Sequence, residues 1–267
     1  MSLDLTFSFG GLFTLSQGAL FAVGAYTAAL WPPALGGVPG QLAAAMAGAA
    51  AVGVIVAVLS LRVLGDYLIL VSFAVQAVVS DLISNLALTG GQEGLSNIAP
   101  LFGGATSLLT AAFWLAILGA VFLALRSVQR SAFGARWLFS RDNGVLAQSV
   151  GISPWRARLW CFAVSGAVAG LAGLLYAHYA SYISPSSFDY NASIFAVTGV
   201  LLGGGETLIG PALGTAALFA LQQAVAVLPA PATWIGPIQQ GIYGLILIVV
   251  PFVRPRGLVA QRLKVQA

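Results

Sequence analysis

Residues 159–179 read LWCFAVSGAVAGLAGLLYAHY, twenty-one residues without an acidic or basic side chain apart from His178. A helix that crosses the hydrocarbon of a bilayer needs about 20 largely apolar residues. This stretch meets that length and is apolar on every side, so it reads as a membrane span. Gly166 and Gly170 stand four apart, and Ser165, Ala169 and Gly173 widen the same small face. Faces of this kind let helix backbones approach closely. Gly166, Gly170 and Gly173 are therefore packing residues, toward the same chain or a second subunit, and carry no chemistry.

The whole chain has the same character. Of its 267 residues, 59% are hydrophobic and 7% charged, and the mean hydropathy is +0.96. A water-soluble domain carries about 25% charged residues, so a soluble enzyme and a disordered chain are both excluded. Eight segments qualify as spans: 12–31, 42–61, 67–86, 107–125, 159–179, 192–205, 209–228 and 237–253. Strands are disfavoured, because a membrane barrel needs short runs of alternating polarity. The expected fold is an all-α integral membrane protein, a polytopic bundle of about eight transmembrane helices forming one domain over 1–267. The sixth segment is short and runs into Gly203-Gly204-Gly205, as a broken helix would.

The basic residues set the orientation. Arg62 follows segment two. Arg126, Arg130, Arg136, Arg141, Arg156 and Arg158 lie between segments four and five. Arg254, Arg256, Arg262 and Lys264 follow segment eight, and together these are all 11 cations. With eight spans they fall on one side, which is expected to be cytoplasmic. The net charge of +4 is thus a topology signal, and no nucleic-acid partner is expected. Residues 1–9, MSLDLTFSF, lack the basic start and cleavage site of a signal peptide and resemble the tail of a helix.

The cytoplasmic stretch of about 126–158 is the longest loop on the basic side. Asp142 or Asn143 is placed to cap a short helix. Leu146 and Val150 then share a face, and Gly151 supplies the left-handed end position. Ser153 followed by Pro154 reads as a second cap, with proline at the first helical position. A short freestanding helix is expected at the membrane surface. By composition alone the loop is a connector, as most loops are.

In the third segment Ser72, Gln76 and Ser80 recur every four residues on one helical face. In lipid such a face turns toward protein or water. Two readings stay open: the lining of a solute path, or interhelical hydrogen bonding. Asp81 is expected near the outer interface or facing a polar interior. Glu206 reads as a helix-start carboxylate. His178 sits among Tyr176, Tyr179 and Tyr182 and reads as part of an interfacial aromatic anchor. The single cysteine (Cys161), histidine and lysine exclude a thiolate or multi-histidine metal site. The lysine, Lys264, follows Leu263, so a phosphate-binding Gly-Lys pair is missing too. No catalytic residue, metal or cofactor is expected on this chain.

Four stretches together resemble a known family. They are Leu15-Ser16-Gln17-Gly18 with Phe21 and Gly24-Ala25-Tyr26-Thr27-Ala28; Leu88-Thr89-Gly90-Gly91 with Gly94-Leu95; and Arg141-Asp142-Asn143 with Ala147 and Gly151-Ile152. The fourth is Gly203-Gly204-Gly205 with Gly210-Pro211, then Tyr243-Gly244-Leu245 and Arg254-Pro255-Arg256-Gly257-Leu258. In this order they resemble the permease subunits of branched-chain amino acid ABC importers, most of all the LivM-like half of the pair. The resemblance implies a second permease subunit, two ABC ATPase subunits that bind the ATP, an extracytoplasmic substrate-binding protein, and residence in the bacterial cytoplasmic (inner) membrane. It also implies that Arg141, Asp142, Asn143, Leu146, Ala147, Val150 and Gly151 belong to an ATPase-coupling helix. The solute path between the two permease subunits is then expected to use Ser72, Gln76 and Ser80.

Three features depart from the family's pattern. Gly144 stands where an acidic residue is usual, and Leu146 where alanine is common. Further hydrophobic sequence normally precedes the position of Met1, so a truncated or misassigned start is expected. In a restored helix Asp4 would need a polar partner. Two other readings compete with the amino-acid importer. One is an ABC permease for urea, amides or simple sugars. The other is an ion-coupled secondary transporter, which would show intramembrane ionisable residues and inverted repeats.

Overall fold

The computed structural model describes residues 1–32, 37–60, 67–100, 108–205, 207–226, 232–253 and 257. Its helices are α1 (Ser2–Asp4), α2 (Gln17–Leu30), α3 (Gly37–Ser60), α4 (Tyr67–Asn85), α5 (Leu108–Arg130), α6 (Ala132–Asp142), α7 (Gly144–Ser149), α8 (Pro154–Ala180), α9 (Tyr190–Gly203), α10 (Ile209–Ala226) and α11 (Ala232–Val253). A π-helical stretch, Leu5–Phe9, continues α1. The two-residue strands β1 (Leu95–Ser96) and β2 (Tyr182–Ile183) pair antiparallel in the connections after α4 and α8.

Each of the eight apolar segments contains a helix, and the chain is all-α as expected. Among the described residues, five helices are long and apolar enough to cross a membrane: α3, α4, residues Ala112–Arg130 of α5, α8 and α10. α2 and α9 have 14 residues each, a rise of about 21 Å against a hydrocarbon core of about 30 Å. The first segment therefore needs correction. Helix does not fill 12–31 but begins at Gln17, and residues 10–16 are irregular. Gly11 there has φ +64°, a left-handed conformation that ends the preceding helix.

Lipid tails are as apolar as leucine, so close backbone approach and hydrogen bonds, not hydrophobicity, choose helix neighbours in a bilayer. α8 is the centre of the packing. A Cβ on Gly166 would overlap the Ala49 carbonyl of α3, and one on Gly170 would overlap that of Ala45. Gly173 meets Phe21 of α2 in the same way, and Gly24 of α2 meets Gly170. α3 thus runs antiparallel to α8. α2 runs parallel to α8, with Gln17 beside Ser165 at one end and Ala28 joined to His178 through Gln41 at the other. A second glycine contact, Gly203 on Gly210 and Gly214 on Gly199, joins α9 to α10.

Residues 1–9 fill the space beside this centre. Leu5 and Phe9 are buried with Trp137 of α6 and Cys161 of α8. Leu3 is buried with Val197 and Val200 of α9. Asp4 is fully buried, and the Ser8 hydroxyl donates to its carboxylate at 2.5 Å. The described arginines Arg126, Arg130, Arg136, Arg141, Arg156 and Arg158 lie on the end of α5, on α6 and at the start of α8, one end of the bundle. Arg62, Glu206 and the cations from Arg254 onward lie outside the described residues.

Candidate functional site

Two places hold the site residues singled out above, and a cavity is the third; the last two join polar groups from distant parts of the chain. At the basic end, α7 is built by local rules. Asn143 is its N-cap, and its Oδ1 accepts from the Val145 and Leu146 amides at 3.1 and 3.0 Å. At the other end Gly151 has φ +79°. Its amide donates to Gln148 O at 3.0 Å, and that of Ile152 to Ala147 O at 2.8 Å, which together close a Schellman motif. Ala147 is buried, whereas Val145 (79% exposed), Leu146 and Val150 all face outward. The sequence reading did not single out Val145. It also missed α6, whose start is capped by Ser131 accepting from Phe133 N at 3.2 Å. Asp142 is exposed and pairs with Arg141 Nε at 2.9 Å. Arg141 itself turns inward, and its Nη1 donates to the Ser8 carbonyl.

The stripe on α4 serves the start of α2. Ser72 and Gln76 are buried. Leu15 N donates to Ser72 Oγ at 2.9 Å, and Ala19 N donates to Gln76 Oε1. Gly18 N donates to Ser193 Oγ of α9 at 2.8 Å. Gln76 Nε2 donates to Phe188 O at 2.8 Å and, at 3.4 Å, to Ser80 Oγ. The first amides of a helix have no partner within it. Here they are met by side chains from two other helices. Ser72, Gln76 and Ser80 line no part of the cavity described next.

A cavity of about 730 Å³ lies between α2, α8, α9, α10 and α11, with Ser2 on its wall. Its polar lining is neutral: the amides of Gln17, Asn191, Gln222, Gln239 and Gln240, with hydroxyls such as Ser187, Thr215 and Tyr243. Phe21, Tyr176, Phe195 and Phe219 supply an aromatic wall. No acidic or basic side chain lines it among the described residues. Gln17 is held by a ring of bonds. Ser2 Oγ donates to Gln17 Oε1 at 3.1 Å, Gln17 Nε2 to Ser165 Oγ at 3.4 Å, and Ser165 Oγ to Ser2 O at 2.9 Å. The Tyr243 hydroxyl is shielded from solvent and has no hydrogen-bond partner among the described residues. Sequence reasoning missed this lining. The available signal was the adjacent amide pairs Gln222-Gln223 and Gln239-Gln240 inside otherwise apolar segments.

His178 is not an interfacial anchor. It is buried, with Nδ1 2.7 Å from Ala99 O and Nε2 3.0 Å from Gln41 Oε1. It ties the end of α8 to the start of α3 and to the loop after β1. Cys161 is also internal, its thiol donating to Leu5 O at 3.2 Å. No group of three His, Cys, Asp or Glu residues comes together among the described residues.

Comparison with known proteins places this architecture. Residues 1–251 match the family described as branched-chain amino acid transport system / permease component. The high-affinity branched-chain amino acid transport system permease protein LivM of Escherichia coli is 32% identical over 233 residues, covering 76% of this chain and 55% of that protein. LivM of Salmonella typhimurium matches to the same extent. The autoinducer 2 import system permease protein LsrC of Yersinia enterocolitica is 32% identical over 171 residues, 61% of this chain and 46% of that protein. The chain spans about half the length of these relatives. No solved structure matches it.

Proposed function

The chain belongs to the branched-chain amino acid transport permease family, and from that premise we propose that it is the membrane permease subunit of an ATP-driven importer. A second permease subunit completes the path. A substrate-binding protein delivers a branched-chain amino acid at the outer face, and two ATPase subunits bind and hydrolyse the ATP. The basic end of the bundle faces the cytoplasm of a bacterium, in keeping with the bias of cytoplasmic loops toward Lys and Arg. On this reading the chain forms one permease domain and performs no catalysis itself.

The observation that carries the proposal is the neutral cavity. Its volume falls within the roughly 300–1,000 Å³ of small-molecule sites. Amides and hydroxyls offer donors and acceptors to both ends of a zwitterion. The wall of Phe21, Tyr176 and Phe195 suits a branched aliphatic side chain. A fixed charge in low dielectric would hold the opposite charge of the solute strongly, and transport requires release. A lining without charge therefore suits passage better than storage. The exposed apolar residues of α7 supply a surface on which an ATPase can seat, and ATP then shifts the permease only through its differential affinity for the two conformations.

A second reading shares the fold: an importer for another small uncharged solute. The five lining amides favour it, and autoinducer 2 permeases are among the relatives. The test for both uses proteoliposomes holding the permease pair and the ATPases, with the binding protein outside. Labelled leucine uptake is expected to require internal ATP and to disappear when Val150 and Gly151 are both changed to Asp. Uptake driven by an ion gradient without ATP overturns the proposal. ATPase activity stimulated by a loaded binding protein without leucine uptake replaces the substrate and keeps the importer.

A further inference from the structure

We propose that Arg141 is the residue through which movement of the cytoplasmic helices reaches the cavity, and that it acts inward, on the N-terminal segment, not on the ATPase. Its part in transport rests on the importer reading above; the link itself does not. Arg141 sits one residue before the α6–α7 junction and holds Asp142 through Nε. The next residue, Asn143, caps α7. The guanidinium is therefore held at the end of α6, directly before the cap of α7. From there Nη1 donates to Ser8 O, 133 residues away. Gly11 packs on the Arg141 side chain so closely that a Cβ there would overlap Cγ.

The segment that Arg141 holds contains an irregular helical turn and reaches the cavity wall. Leu5–Phe9 is π-helical, with Gly10 N donating to Leu5 O at 2.9 Å and Leu12 N to Thr6 O at 2.9 Å. π-turns are rare and concentrate at functional positions. At its far end the same segment carries Ser2, whose hydroxyl and carbonyl hold Gln17 and Ser165 at the cavity wall. Its side chain at Leu3 is buried against α9, the helix that brings Asn191 and Phe195 to the cavity. A continuous chain of bonds and packed side chains thus runs from α7 through Arg141 and residues 2–9 to two walls of the cavity.

Two measurements decide it. Hydrogen exchange on the purified chain reads the link. In Arg141→Ala the amides of Gly10 and Leu12 are expected to exchange about tenfold faster, while those of α3 and the middle of α8 stay unchanged. Transport reads the role. In the reconstituted importer Arg141→Ala should lower leucine moved per ATP hydrolysed about tenfold, with the ATPase rate and ATPase association retained. Gly11→Ala, which pushes the side chain away from the other side, should give the same loss, and the double variant should be no worse than either single one. Arg141→Lys, which keeps the charge and one donor, should recover part of the ratio.

Unchanged exchange at Gly10 and Leu12 overturns the link. Faster exchange with wild-type leucine per ATP overturns the coupling role. Loss of ATPase association in Arg141→Ala would show that the residue faces the partner and overturns the inward assignment. Failure of the wild-type assembly to take up solute with ATP counts against the importer reading, and the exchange measurement still decides the link.

Discussion

Two helix starts in this molecule solve the same problem by opposite means. The first amides of any helix lack partners within it. At α7 the partner is Asn143, two and three residues from the amides it serves. At α2 the partners are Ser72, Gln76 and Ser193, lying 57, 57 and 175 residues from Leu15, Ala19 and Gly18. The contrast follows from surroundings. α7 is exposed, and water can replace a lost cap. α2 begins inside the bundle against Phe188 and α9, where an unmet amide has no water to turn to. A cap at the surface is thus a local adjustment, whereas one in the interior ties together α2, α4, α9 and the turn at Phe188.

This difference predicts unequal costs. Gln76→Leu keeps the volume and removes both halves of the amide. Ala19 N and Phe188 O are then left buried and unpaired, at about 1–3 kcal/mol for each such group. The unfolding free energy of the purified chain in mixed micelles should fall by about 3 kcal/mol, allowing for partial relaxation. Retained stability would show that the irregular residues 10–16 can shift to re-pair the amides. Ser193→Ala should cost less, about 1–2 kcal/mol, because only Gly18 N loses its partner. Ser193 also donates to Gln76 at 3.4 Å, so the two losses should be less than additive. Full additivity would mean that the two caps act separately.

The same contrast explains what the sequence made legible. Asn143, Gly151 and the helix start at Ser153-Pro154 were readable because capping rules span a few residues, although the Ser153 side chain makes no cap bond. The eight apolar segments were readable because hydropathy is a sum along the chain. The polar face of Ser72 and Gln76 was also visible, but its partners depend on where α2 starts. That start was placed too early, since residues 12–16 are apolar enough to pass for helix. His178 was misassigned because nearby tyrosines suggest depth in the membrane, whereas its burial depends on Gln41 and Ala99. The cavity was the least legible feature. Its five amides come from four helices, and no spacing rule joins Gln17 to Asn191 or Gln240. Residues 1–9 stand between these cases. Their helical character was expected, as was the need of Asp4 for a polar partner, supplied by Ser8 four residues on. Their packing against α6 and α9 was not.

The smallest effect belongs to the local cap. Asn143→Ala removes the acceptor for Val145 N and Leu146 N, a change of about 1 kcal/mol at helix starts. α7 has six residues and little of it is buried beyond Ala147. Its fraying should therefore leave global unfolding unchanged. The loss should appear locally, as exchange at the Val145 and Leu146 amides about fivefold faster. Asn143→Asp keeps an acceptor and adds a negative charge where the helix dipole favours one, so exchange there should stay at the wild-type rate. A drop in global stability for Asn143→Ala, matching that of Ser193→Ala, would break the comparison. It would mean that the whole of α7, and not Arg141 alone, is tied into the bundle as firmly as α2.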